Sequence, residues 1–324
     1  MGAVYAHHLA FSIPEAEFAA VTDLNVSAAQ KVADHYGAEM YFADHAELLA
    51  QDDIDAVIIA TPTNTHHIVI ADAAKAGKHI FAEKPLALTL AGCDQALSAV
   101  EMAGVKLQVG FMRRYDSGYL AAKQKIDAGV IGTPVMFKSI GRDPDCPSLE
   151  FAKRRNSGGL IMDMGIHDFD LARWLMGSEV KRVFSEGDCL VFPQLKAVDD
   201  IDNAVISLRF ENGAVGAIDV SRNAVYGYDI RTEVMGSEGS LYIAQDRYTP
   251  LLVKTRSGVT HDTVPAFMER FAEAYVAEVK DFIVCLEEGN SPAVTGEDGR
   301  IATAIGVAAT LSLDEGRPVE LNEL

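Results

Sequence analysis

The chain has 324 residues, 49 % of them hydrophobic, which suggests two domains, each with a core of its own. Its 28 Lys and Arg face 47 Asp and Glu, a net charge of −19 that argues against nucleic acid as a partner. No apolar run reaches the roughly 18 residues of a membrane span, no signal peptide opens the chain, and Cys93, Cys146, Cys189 and Cys285 lack metal-ligand spacing, so the sequence reads as cytoplasmic with free thiols.

Strand and helix signals alternate through the first hundred residues. Glu17–Thr22 reads as a strand ending in Asp23, and Val26–Tyr36 as an amphipathic helix stopped by Gly37. Asp55–Thr61 suits a buried parallel strand, and Asn64–Ala76 is helical with Gly77 at its end. His79–Ala82 is the next strand, closed by Glu83-Lys84-Pro85. Thr89 caps a helix to about Ala103, and Lys106–Val109 is a strand. This rhythm predicts a Rossmann-type, doubly wound parallel sheet over residues 1–110.

After Gly110 the pattern turns β-rich. Strands are predicted around Val135–Ile140, Val180–Ser185, Ala204–Phe210, Val215–Val220, Ile230–Met235 and Ser240–Ile243. Glu211-Asn212-Gly213 and Gly236–Gly239 read as hairpin turns, which implies a large, mainly antiparallel open sheet. Helical patterns follow at Phe267–Glu288 and Glu297–Leu313, giving an α/β second domain over residues 111–324.

Asp23 stands where an acidic residue binds the ribose hydroxyls of a dinucleotide and repels a 2′-phosphate, which favours NAD over NADP. The same residue also fits an ordinary helix N-cap. A G-x-G-x-x-G fingerprint is expected about 20 residues before such an acid. Here only Gly2 stands, 21 residues upstream, as the last glycine of that pattern. The first strand and the two phosphate-facing glycines are expected upstream of Met1.

Gly159–Asp170 is the most chemically suggestive segment. Read as one helix, it sets Asp163, His167 and Asp170 at i, i+4 and i+7, an imidazole between two carboxylates. That arrangement suits a general acid/base, though a salt-bridged helix surface gives the same spacing. No second His or Cys stands at ligand spacing from His167, which argues against a metal enzyme.

Asp23, Thr61-Pro62 with His66, Ala76-Gly77-Lys78-His79, Glu83-Lys84-Pro85-Leu86 and the Asp163-to-His167 segment occur in this order. Together they resemble the Gfo/Idh/MocA oxidoreductase family over nearly the whole chain. Val109–Tyr119 (VGFMRRYDSGY) and Tyr226–Ile230 are similar to its inositol dehydrogenases. The resemblance implies NAD-dependent oxidation of a secondary hydroxyl, myo-inositol to its 2-keto product, by a homo-oligomer, commonly a tetramer built on the open sheet. It implies that Lys84, Asp163 and His167 are catalytic and that a cis bond can precede Pro85. Gly2, Asp23, Thr61, Pro62, His66, Glu83 and Lys84 are then the cofactor residues.

Arg113, Asp143, Asp163, His167 and Tyr228 are the expected substrate residues. Arg113 follows the fifth strand, where ligands bind an open α/β sheet, and its guanidinium can donate to several hydroxyls. Inositol dehydrogenases often carry Arg-Asn-Pro where this chain has Arg142-Asp143-Pro144, a departure that bears on the preferred isomer. His66 either lines the cofactor cleft or packs at a helix start. The pairs Asp52-Asp53 and Asp199-Asp200 read as solvated loops. Alternatives are a dehydrogenase of another cyclic polyol or aldose, or a sugar-binding member without turnover.

Overall fold

Short apolar strands and capped helices build the first part of the chain. A computed structural model describes all residues, Met1–Leu324. α1 spans Gly2–Phe11, β1 Ala20–Thr22, α2 Val26–Tyr36, β2 Met40–Phe42 and α3 His45–Leu49. β3 follows at Ala56–Ile59, α4 at His66–Lys75, β4 at His79–Glu83, α5 at Leu90–Ala103 and β5 at Leu107–Gly110. Asn25 caps α2 by accepting from the Ala28 N–H at 3.4 Å, and Thr89 caps α5 by accepting from Gly92 at 3.1 Å. Each such cap is worth about 1 kcal/mol.

β3, β4 and β5 form a parallel ladder, with Ile58 opposite Phe81 and Ala82 opposite Val109. Its middle strand carries Ile80, Phe81 and Ala82, all fully buried, as a strand covered on both faces requires. Burying Phe81 alone contributes roughly 1.5–3 kcal/mol. β1 and β2 pair in a second parallel ladder, and no ladder joins β1 to β3. The parallel strands therefore lie in two ladders rather than one continuous sheet.

The chain resolves into two contact units. The first is Met1–Phe111 with Tyr275–Arg300, and the second Met112–Ala274 with Ile301–Leu324. In the second, α6 is Ser117–Asp127, β6 Pro134–Arg142, α7 Leu149–Ala152, α8 Arg154–Ser157, α9 Gly159–Asp163 and α10 Ile166–Met176. Then come β7 Val180–Asp188, β8 Asn203–Phe210, β9 Val215–Ser221, β10 Asp229–Gly236, β11 Ser240–Ala244, β12 Val253–Thr255 and β13 Gly258–Thr260. α11 is Phe267–Glu288, α12 Gly296–Glu315 and β14 Val319–Glu320.

One seven-stranded sheet runs β11-β10-β6-β9-β8-β7-β14. β6 and β9 are parallel and every other neighbouring pair is antiparallel. β8 alternates between buried Ala204, Ile206, Leu208 and Phe210 and exposed Val205, Ser207 and Arg209, so one face packs and the other is open. α9 and α10 pack on the buried face, against β8, β9 and β6. No helix is long and apolar enough to cross a membrane.

Three elements differ from the sequence expectation. The strand expected from Glu17 begins only at Ala20, and the helix expected from Asn64 opens with a 3-10 turn over Thr63–Thr65. The run read as a single helix from Gly159 breaks between α9 and α10 at Met164-Gly165. At that break a Cβ on residue 165 would lie 2.6 Å from the Ile161 carbonyl oxygen, so only glycine fits.

Candidate active site

In the first unit, the expected cofactor residues follow the C-terminal ends of parallel strands. Thr61-Pro62 follows β3, while Glu83 closes β4 and is followed by Lys84; that edge is where open α/β sheets bind ligands. Asp23 follows β1 and is exposed. It is not the N-cap of α2, a part taken by Asn25; its Oδ1 accepts from the Asn25 N–H at 2.8 Å. Gly2 is the first residue of α1, whose N-terminus carries no side-chain cap. A Cβ on Gly2 would meet nothing within 4 Å, so no neighbour here requires glycine, but the helix end is open to an anion.

His66 is buried, with Nδ1 2.8 Å from the Pro85 carbonyl oxygen and Nε2 2.8 Å from that of Thr61. The ring thus sits wedged between the Thr61 turn and the Lys84-Pro85 turn, its N–H donating to one of the two carbonyls, which favours packing over cofactor contact for this ring. The Lys84-Pro85 peptide is cis. The Glu83 carboxylate is buried, and its Oε2 accepts from the Lys84 backbone N–H at 3.1 Å.

In the second unit, α10 holds His167 in its first turn, largely buried. The carboxylates expected on either side of the imidazole each serve an arginine. Asp170 accepts from Arg114 Nε at 2.8 Å and Nη2 at 2.5 Å, and the Arg114 guanidinium sits over the Trp174 ring at 5.7 Å. Asp163, at the end of α9, lies 3.6 Å from Arg222 Nη2. Arg222 also approaches Asp200 at 3.4 Å, and Asp200 Oδ1 accepts from the Leu160 N–H at 2.8 Å. Burial pushes the Asp200 carboxyl up and Arg222 pulls it back, leaving it above the ordinary range. The solvated-loop reading of Asp199-Asp200 therefore holds only for Asp199; Asp200 is buried beneath α9.

Arg113 is 3 % exposed, and its Nη1 donates to Asp168 Oδ1 at 2.7 Å. Asp168 also accepts from Ser139 Oγ at 2.5 Å, and Ser139 continues through Thr232 to the Tyr119 hydroxyl, at 3.2 and 2.8 Å. Arg113 is hydrogen-bonded to Tyr228, with Asp143 close enough to act on the same phenol. Burial raises the Tyr228 pKa, Arg113 lowers it and Asp143 raises it further, so the phenol stays a neutral donor through neutral pH. The expected substrate residues Arg113, Asp143 and Tyr228 are thus brought together. Arg113, however, is committed to a buried ion pair rather than presented as a free guanidinium. Gly227 positions Tyr228: at φ 127, a Cβ there would sit 2.5 Å from Thr263 Oγ1.

Sequence reasoning missed Asp168, Arg222 and Ser139. The His167-Asp168-Phe169-Asp170 run held the signal for the first, since acids two apart on a buried helix need separate cations. No group of three or more His, Cys, Asp or Glu is placed to hold a metal ion.

Comparison with known proteins extends this geometry to a family. Residues 1–111 match the model of an oxidoreductase family's NAD-binding Rossmann fold, and residues 123–321 that family's C-terminal alpha/beta domain. The scyllo-inositol 2-dehydrogenase (NAD(+)) of Bacillus subtilis is 42 % identical over 322 residues, 99 % of this chain and 94 % of that protein. The myo-inositol 2-dehydrogenase of Thermotoga maritima is 40 % identical over 325 residues, 100 % of this chain and 96 % of that one. The crystal structure of scyllo-inositol dehydrogenase from Lactobacillus casei with bound NAD(H) and scyllo-inositol superposes with a TM-score of 0.94 at 31 % identity, covering 99 % of this chain and 96 % of that chain. The expected α/β fold, a Rossmann-type domain followed by a large sheet of mainly antiparallel pairs, agrees with these matches, and the chain belongs to the Gfo/Idh/MocA oxidoreductase family.

Proposed function

We infer that this chain is an NAD-dependent inositol 2-dehydrogenase, oxidising a ring hydroxyl of an inositol to the ketone. The carrying observation is the near full-length similarity to proteins named for that activity, joined to a Lys84 that follows β4 and a His167 in the first turn of α10. NAD supplies the acceptor for the hydride that leaves the ring carbon. The residues present suit it. The exposed Asp23 carboxylate would accept from both ribose hydroxyls, the uncapped α1 N-terminus at Gly2 would attract the pyrophosphate, and Thr61, Pro62, Glu83 and Lys84 would hold the cofactor along the strand edge. His66 supports that edge from behind.

We assign the chemistry to Lys84, Asp163 and His167. The His167 imidazole takes the hydroxyl proton as the carbon loses hydride. The Lys84 ammonium stabilises alkoxide character on the same oxygen. Asp163, held by Arg222, accepts from a substrate hydroxyl. Tyr228 donates to another hydroxyl, and Asp143 accepts from one. Arg113 fixes Tyr228 from behind.

The relatives divide between scyllo- and myo-inositol, and myo-inositol is the substrate we propose. The test is NADH formation by the purified chain with myo-inositol, scyllo-inositol and a panel of aldoses. Turnover of an aldose with neither inositol used would overturn the assignment. We further propose a cytoplasmic homotetramer of inositol catabolism assembled on the open sheet face, where Val205, Met235 and Tyr242 are exposed. A monomer in light scattering at micromolar concentration would refute the assembly.

Asp23→Ala is expected to weaken NAD binding about tenfold to a hundredfold, the worth of a charge-assisted hydrogen bond, and to narrow the preference over NADP. Titration calorimetry with both dinucleotides reads this. Unchanged NAD affinity would remove Asp23 from the site.

A further inference from the structure

Two carboxyl groups and one phenol meet in the interior of the first unit. Tyr5 of α1, Glu83 of β4 and Glu278 of α11 are all buried, Glu278 completely. The Tyr5 hydroxyl donates to Glu83 Oε1 at 2.6 Å and lies 3.1 Å from Glu278 Oε1. A phenol has one hydrogen. With that hydrogen on Glu83, the contact between Tyr5 and Glu278 is a hydrogen bond only if Glu278 supplies the proton. Aromatic rings close the cluster: Tyr5 packs edge-on to Phe81 at 5.5 Å and to Tyr275 at 6.4 Å. The charged or titratable groups acting on Tyr5 and Glu278 are each other, Glu83 and Tyr275, with no cation among them. Glu278 Oε2 has no hydrogen-bond partner, a condition a neutral carbonyl tolerates better than a charge.

We propose that Glu278 carries its proton in the folded protein and, by donating through Tyr5 to Glu83, positions Lys84. The far oxygen of Glu83 accepts from the Lys84 backbone N–H, so the relay ends on that residue. Burial, then the charge of Glu83, drive the Glu278 carboxyl well above its ordinary range, and the bond to Tyr5 only partly opposes them. Gln108, also buried, donates to the Glu278 carbonyl oxygen at 2.8 Å and fixes this turn of α11. The positioning part of the proposal rests on the role given to Lys84; the protonation part does not.

Three measurements on the full chain test it. The first is urea unfolding of the parent and Glu278→Gln across pH. A proton held when folded and lost on unfolding gives stability that is full below the ordinary glutamate value of about 4.3 and declines as pH rises toward the folded value. The ratio of the parent's folding constant to that of Glu278→Gln should therefore fall about tenfold per pH unit above roughly pH 5. A constant ratio overturns the protonation.

The second measurement is infrared difference spectroscopy, which should show a protonated-carboxyl stretch at neutral pH that is missing in Glu278→Gln. It decides the point through Glu278→Asp, whose stretch should move, if the glutamine variant does not fold. No such band overturns the proposal. The third reads Lys84 itself, as the acylation rate of its amine by mass spectrometry, which needs no substrate. Glu278→Ala should change that rate, and kcat where inositol is turned over, by about tenfold, the worth of one strong hydrogen bond, with KM little altered. Glu278→Gln should restore both. An unchanged acylation rate in Glu278→Ala overturns the link to Lys84, whatever the substrate proves to be.

Discussion

His167→Ala and Lys84→Met are each expected to lower turnover by about 10² to 10⁴ while the chain stays folded, the usual contribution of a positioned acid/base or charge-stabilising group. In the proposed mechanism the two act on the same oxygen in different ways. Without the imidazole, the hydroxyl proton must go to water as hydride departs. Without the ammonium, negative charge on that oxygen has no fixed counter-charge. The losses should fall on kcat more than on KM, because both interactions strengthen as the O–H bond breaks. Because the groups act as a unit, the double variant should lose much less than the product of the single losses. His167 is in the first turn of α10 and Lys84 follows the end of β4, so neither substitution empties a strand core. Initial-rate kinetics with NAD and inositol, beside circular dichroism, reads both effects. A His167→Ala enzyme with near-parent turnover would sink the catalytic assignment, and loss of the folded spectrum would make the residue structural.

Regular periodicity was readable from the chain, and partnership across long separations was not. α2 with its Gly37 stop and α5 with its Thr89 cap agree with the sequence reading because each rests on local chemistry, whereas α11 keeps the expected span Phe267–Glu288 but kinks at Phe271. The short β2, the isolated hairpin β12–β13 and the Asp116-capped α6 escaped it, since three-residue strands carry almost no period and Asp116 lies in a run that drew notice only for its resemblance to inositol dehydrogenases. The single helix expected from Gly159 failed at Gly165, where helix-forming residues on both sides hid a break. Arg113 looked like a ligand-binding group, yet it and its neighbour Arg114 are held by Asp168 and Asp170, 55 and 56 residues away. No single-sequence argument pairs them. Glu278 was nearer to legible: Phe271, Tyr275, Val279 and Phe282 mark the buried stripe of α11, and an acid on that stripe is the anomaly that should draw notice.

Asp168→Ala is expected to destabilise the second unit by roughly 3–5 kcal/mol, the cost of stranding a buried charge. Asp168 has no exposed surface, and its Oδ1 takes both Arg113 Nη1 and Ser139 Oγ. The Arg113 guanidinium cannot shed its proton to escape. The Phe271 ring, 5.8 Å away, and the Tyr228 and Tyr119 phenols would remain near it, none of them a carboxylate. Asp168→Asn keeps the shape and one acceptor, so its cost should be smaller. Removing both charges, as Asp168→Asn with Arg113→Met, should recover part of the loss, because the stranded cation goes with its partner. The double variant separates stability from recognition. Its fold should return while its KM for inositol stays raised, since Tyr228 has lost the guanidinium that holds its hydroxyl. Urea unfolding of the parent, Asp168→Asn, Arg113→Met and the double variant gives the coupling energy directly. If Asp168→Ala costs no more than about 0.5 kcal/mol, the range of an ordinary surface change, then the ion pair is not what fixes α10 beside Tyr228.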